Sequence, residues 1–240
     1  MSPVEDLTPP SLPHSREPFW DYTDLLLFAI LVATSLAVSL LAALGFSKLA
    51  IPGRLLLAQI LWYALAFTAL KALLLFRYEQ PFWQSLGWRP ISFSAAAGVI
   101  LAGPLLVISI GLLQFILRAP EIEPPFEQML GSGNTIVLFG ILAVIVGPVA
   151  EELAFRGFLM PLLIRSLGAV GGIVLTGLIF GSIHGYEYEW SWQYMLLISL
   201  VGCALGWTKY KTKSTFASAL MHCTFNLTQF VALVYHSRTL

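Results

Sequence analysis

Gly147-Pro148-Val149-Ala150-Glu151-Glu152-Leu153-Ala154-Phe155-Arg156-Gly157 is the stretch that decides how this chain is read, because two carboxylates and a guanidinium interrupt an otherwise apolar segment. The run around it, residues 135 to about 164, exceeds the roughly 20 residues that a helix needs to cross a bilayer. Each ionisable group at the centre of such a span costs roughly 2.5 to 3.5 kcal/mol on insertion scales, so three together are a functional site by default. Other spans must then supply their partners.

The rest of the chain has the composition to do so. Of 240 residues, 58% are apolar and 11% charged, and the formal net charge is zero. An ordinary soluble domain carries about 25% charged residues. Repeated long apolar runs predict an all-α fold, a polytopic transmembrane helix bundle of about seven spans. The spans fall at 25–44, 55–76, 92–117, 135–164, 168–184, 193–208 and 216–235. The fourth is longer than a crossing requires, which predicts a tilt or a break near Gly157 and Pro161. Residues 45–54, with Pro52 and Gly53, read as a turn. Residues 119–134, with Glu121, Glu123 and Glu127, read as the longest internal loop.

Three regions follow: a disordered N-terminal tail at 1–24, N-terminal transmembrane helices at 25–134 and a transmembrane core at 135–240 that carries the charged stretch. The tail holds five prolines and more acids than bases. The first apolar run exceeds the 7 to 15 residues or so of a signal-peptide core, so it reads as an uncleaved span. No basic patch argues for nucleic acid, which leaves membrane lipid as the surrounding partner. Cys203 and Cys223 lie within apolar runs and make no disulfide framework; Cys223 adjoins His222 but reads as a packing residue.

Helical spacing sorts the polar residues. Glu152 stands four before Arg156, the favourable order for an ion pair on one helix face. Glu151 points about 100° away, has no local partner, and is the candidate base. Phe180 and His184 share a face of span five; His222 and Asn226 share a face of span seven. A buried polar site between spans four, five and seven could hold a water, a metal ion or a scissile carbonyl. A glutamate can deprotonate water while histidines bind metal or donate to an oxyanion. A single membrane histidine is more often an interhelical hydrogen-bonding group; five polar groups on three spans shift that balance.

At these residues the sequence resembles the CAAX protease and bacteriocin-processing family, Abi-like intramembrane proteases related to the type II CAAX prenyl endopeptidases. The motifs occur in order: Glu151-Glu152 with Arg156, Phe180 four residues before His184, and His222 four before Asn226. The resemblance covers about residues 148–226. It implies a helical bundle with a buried hydrolytic site acting on a peptide or protein substrate. Residue by residue, it makes Glu151 the water-activating base, with His184 assisting. His222 and Asn226 complete the site or hold the oxyanion, and Glu152, Arg156 and Phe180 support it. It implies a zinc ion weakly, with His184 and His222 as ligands, because the same residues are also read as a metal-free glutamate protease. Family members often carry a further helix after the third motif, where this chain has only residues 227–240. The competing function is a non-catalytic membrane scaffold or a proton-coupled carrier using the same buried acids; a carrier would more often show a broken helix in each half. No oligomeric state is assigned.

Seven spans put the tail and loops two, four and six on one side. That side carries Arg16, Arg77, Arg89, Arg165, Lys209, Lys211 and Lys213, against Lys48, Arg54, Arg118 and Arg238 on the other. The excess predicts a cytoplasmic N-terminus in a prokaryotic plasma membrane. Counted from Arg165 and Gly168, Glu151 and His184 lie roughly 21 and 24 Å deep, at one level. His222 is expected shallower unless its helix tilts.

Overall fold

In a computed structural model, residues 18–122 and 133–239 are described, and every regular element among them is helical. Helix α1 (Tyr22–Leu44) begins at a capping box: the Asp21 carboxylate accepts from the Thr23 and Asp24 backbone N–H groups, and Asp24 reciprocates at the Asp21 backbone N–H. The bond from the Asp24 backbone holds the Asp21 carboxyl below its ordinary range. The tail expected at 1–24 lies outside the described residues as far as residue 17. Residues 18–24 are placed, and Trp20 is buried, its indole N–H donating to the Phe158 carbonyl at 3.0 Å. Asp24 is buried as well, paired with Arg77 Nε at 2.9 Å and hydrogen-bonded by the Tyr78 hydroxyl.

Helix α2 (Ile51–Tyr78) begins four residues earlier than expected, because Pro52 falls in its first turn, where a missing N–H costs nothing. A one-turn helix α3 (Phe82–Ser85) leads to α4 (Phe93–Ile116). The loop expected at 119–134 is described only to residue 122, so Glu123 and Glu127 lie outside it. From Gly133 the chain is helical to Ile183: α5 (Gly133–Ile141), a π-helical turn (Leu142–Val146), α6 (Gly147–Glu152), a second π-helical stretch (Leu153–Leu159) and α7 (Met160–Ile183). A 3₁₀ turn (Gly185–Tyr188), α8 (Trp192–Thr212) and α9 (Thr215–Thr239) complete it.

Five segments among the described residues are long and apolar enough to cross a membrane; the fourth, Ile136–Ile183, runs 48 residues. That is about 72 Å of helix, more than twice the hydrocarbon thickness. It divides at Gly168, whose φ of 73° and ψ of 174° are open to glycine and strained for other residues. The break expected near Gly157 and Pro161 therefore lies at Gly168; Gly157 sits in the π-helical stretch and Pro161 in the first turn of α7. Expected spans four and five are the two arms of this segment. Helix α8, the expected sixth, is not among the five. It packs against α7, α9 and α4, so neighbouring protein covers much of the surface that lipid would otherwise meet.

The exterior is apolar: Phe76, Phe93, Leu101, Leu105, Ile108 and Phe115 are largely exposed. The interior holds Glu152, Arg156, Thr176, Thr215, Ser218 and His222. An apolar coat over a polar centre is the arrangement of a membrane protein. Close helix contact supports it: a Cβ on Gly181 of α7 would stand 2.2 Å from Ser199 Oγ and 2.4 Å from the Met195 carbonyl of α8.

The connections also sort as the seven-span topology requires. Residues 18–20, the α2–α4 connection, Arg165 and the α8–α9 turn line one cavity, so they share one end of the bundle. At another connection, Tyr194 at the start of α8 donates its hydroxyl hydrogen to Pro120 O at 3.0 Å, and Gln114 Nε2 lies 3.1 Å from that hydroxyl.

Candidate active site

Glu152 and Arg156 form the ion pair that their spacing predicts. Arg156 Nη1 lies 2.8 Å from Glu152 Oε1, and neither side chain is exposed. Two buried charges need more than each other. Arg156 Nη2 donates to the Gly202 carbonyl of α8 at 2.8 Å, and its guanidinium lies 4.6 Å from the Phe180 ring centre, a cation–π contact. Glu152 accepts from the Ser218 hydroxyl and from His222 Nδ1 at 3.0 Å, both on α9. One carboxylate thus binds α6, the π-helical stretch and α9 together.

This arrangement assigns the His222 tautomer. Glu152, ionised beside Arg156, can only accept, so Nδ1 carries the proton. The ring is thereby turned to present Nε2 to Glu151, whose Oε2 lies 3.8 Å away. That separation is too long for a direct hydrogen bond but lets one water touch both groups. Glu151 keeps 26% of its side-chain exposure, against none for Glu152. The two adjacent glutamates therefore differ in surroundings: Glu152 is enclosed by its partners, and Glu151 is partly exposed.

His184 closes α7, with Nδ1 2.7 Å from the Phe180 carbonyl. A carbonyl accepts, so Nδ1–H donates here too and Nε2 bears the lone pair. The Phe180 ring lies 4.7 Å from the His184 ring and 5.9 Å from the His222 ring, so the imidazoles are no farther apart than the sum of these distances. Both expected histidines flank one phenyl group.

Asn226 stands elsewhere in the constellation. Its Nδ2 donates to the Ala143 carbonyl at 2.8 Å, within the first π-helical turn. A π turn inserts a residue into the helix and disturbs the regular bonding of its carbonyls, and here an amide from α9 supplies a donor. Asn226 braces α9 against the segment leading to Glu151, with its second N–H on the same nitrogen.

The expectation that His222 lies too shallow fails for a geometric reason. Thr215, at the start of α9, donates to the Leu86 carbonyl at 2.6 Å, and a Cβ on Gly157 would meet that same carbonyl at 3.1 Å. The Glu151 helix therefore reaches the level of the α8–α9 turn at Gly157, well before Arg165. From that level Glu151 lies six residues inward and His222 seven, roughly 9 and 10 Å.

Three neighbours escaped the sequence reading. Ser218 on α9 carried no signal beyond its place one turn before His222. Tyr63 of α2 stands beside Gly147, where a Cβ would lie 3.2 Å from its hydroxyl, one turn before Glu151. Glu187 follows His184 in the 3₁₀ turn. Desolvation pushes its carboxyl above the ordinary carboxylate range, with His184 opposing and the Glu151 charge adding.

A catalytic zinc takes three protein ligands, and among the described residues no group of three or more His, Cys, Asp and Glu side chains is arranged to hold a metal ion.

Fold and site together define a class: a polytopic helical membrane protein with an accessible glutamate and two oriented histidines around a buried ion pair. Residues 133–228 match the family model described as "Type II CAAX prenyl endopeptidase Rce1-like", so this part of the chain is similar to that family. Neither the curated proteins nor the solved structures gave a match.

Proposed function

We propose that this protein is an intramembrane endopeptidase that hydrolyses a peptide bond of a membrane-associated substrate, prenylated or leader-bearing, with water activated by Glu151. The observation that carries the reading is the Glu151–His222 pair: 3.8 Å apart, with the imidazole oriented from behind by Glu152. A water between them gives one proton to the Glu151 carboxylate as its oxygen attacks the scissile carbonyl carbon. The carbonyl becomes an oxyanion, received by the second N–H of the Asn226 amide. Glu151 then returns the proton to the leaving nitrogen as the C–N bond breaks, giving a carboxylic acid and an amine. No step passes through a metal ion.

The test uses the full chain in proteoliposomes with a library of membrane-anchored peptides, prenylated and unprenylated, and reads products by mass spectrometry. Discrete cleavage that persists after exhaustive chelation is expected. Activity lost on chelation and restored by zinc would overturn the metal-free mechanism. Intact peptides throughout, together with proton-coupled solute uptake, would replace the hydrolase by a carrier.

The Lys/Arg excess on the side of the tail supports an N-terminus in the cytoplasm of a prokaryotic plasma membrane. A Lys211→Cys variant in intact cells should resist an impermeant thiol reagent until the membrane is opened. Rapid labelling from outside would invert the topology.

A further inference from the structure

A cavity of about 530 Å³ opens at the end of the bundle where residues 18–20, the α2–α4 connection, the Gly168 arm and the α8–α9 turn meet. None of the proposed catalytic side chains lines it. Its wall carries Arg89, Arg165, Lys209 and Lys213 and, among the described residues, no acid. No described carboxylate forms an ion pair with Arg89, Arg165 or Lys213. The cations are held around the opening rather than spread along the chain. Arg165 Nη1 donates to the Pro18 and Trp20 carbonyls at 2.8 and 3.2 Å, and Lys213 Nζ lies 4.2 Å from the Tyr210 ring centre. Apolar side chains, among them Phe19, Trp20, Leu86 and Ile164, complete the wall.

We propose that this cavity binds the phosphate headgroup of an anionic phospholipid, with Arg89 and Lys213 as the principal phosphate contacts. Arg89, Arg165 and Lys213 converge on one space, and phosphate suits the guanidinium fork and the ammonium alike. The depth selects a lipid over a free ion. Its wall residues 18–20, 80–89 and 213 lie just beyond the ends of the candidate spans Tyr22–Leu44, Gly53–Tyr78 and Thr215–Tyr235, and the largely exposed Trp83, Leu167 and Trp207, each within two residues of a wall residue, provide an apolar flank for acyl chains. Such a lipid would fasten four connections at one point. The inference does not depend on the proposed peptidase activity.

The experiment follows thermal unfolding of the full-length protein in detergent, by tryptophan fluorescence, during titration with phosphatidylglycerol, phosphatidylcholine or inorganic phosphate. Phosphatidylglycerol should raise the midpoint, and the other two should leave it in place. The half-effective phosphatidylglycerol concentration should rise about tenfold or more in Arg89→Gln/Lys213→Gln. Gln84→Glu, on an exposed wall position, adds a carboxylate with almost no change of shape and should weaken binding in the same direction. Lys211→Gln is the control, since Lys211 leaves the cavity wall and lies 4.5 Å from the Trp207 ring centre; it should bind like the wild type. Equal stabilisation by phosphatidylcholine, or a response to inorganic phosphate with none to phosphatidylglycerol, would overturn the proposal. So would an unchanged affinity in both cavity variants, or an equal loss in Lys211→Gln.

Discussion

Glu152→Gln should lower the unfolding midpoint in detergent by roughly 10 °C, although it replaces one atom by another of nearly the same size. Three donors converge on the Glu152 carboxylate: Arg156 Nη1, His222 Nδ1 and the Ser218 hydroxyl. An amide keeps one acceptor oxygen and turns an NH₂ group toward donors, so at least one contact becomes donor against donor. It also leaves the Arg156 charge buried without its counter-ion. Removing one member of a buried pair costs about 3 to 5 kcal/mol. For a chain of this size each kcal/mol shifts the midpoint by roughly 2 to 4 °C. Replacing both charges together, as Glu152→Met/Arg156→Met, should recover much of the loss, because a pair of apolar side chains strands no charge. Activity should not return in that double variant, since His222 loses the carboxylate that turns it toward Glu151. A midpoint for Glu152→Gln within a degree of the wild type would refute the structural role of the pair.

What could be read from the chain in advance was what helix periodicity governs. The Glu152–Arg156 pair, the divergence of Glu151 from Glu152, and the shared faces of Phe180 with His184 and of His222 with Asn226 all follow from spacing on one helix. The unforeseen features depend on contacts between helices. The π-helical turns at Leu142–Val146 and Leu153–Leu159 lie in ordinary apolar sequence and become visible only through what fills them, the Asn226 amide and the packing at Gly157. Likewise the depth of His222 depended on where the α8–α9 turn meets Leu86, a contact 129 positions apart in sequence. Trp20 and Asp24 were assigned to a tail because prolines and acids dominate that region. Their burial depends on Phe158 and Arg77, which local composition cannot supply.

Glu151→Gln should abolish hydrolysis while leaving the fold intact. Its side chain is partly exposed and its one recorded ion-pair partner is His222 at 3.8 Å, so the amide strands no buried charge. It does remove the group that takes the proton from water, and losing a general base typically lowers the rate about 10² to 10⁴-fold. The decisive measurement is kcat/KM of wild type and Glu151→Gln, side by side in proteoliposomes, on one peptide that the wild type cleaves, with matching unfolding midpoints as the check on folding. The account predicts a fall of at least about a hundredfold at an unchanged midpoint. Cleavage by the folded variant at the wild-type rate would contradict it.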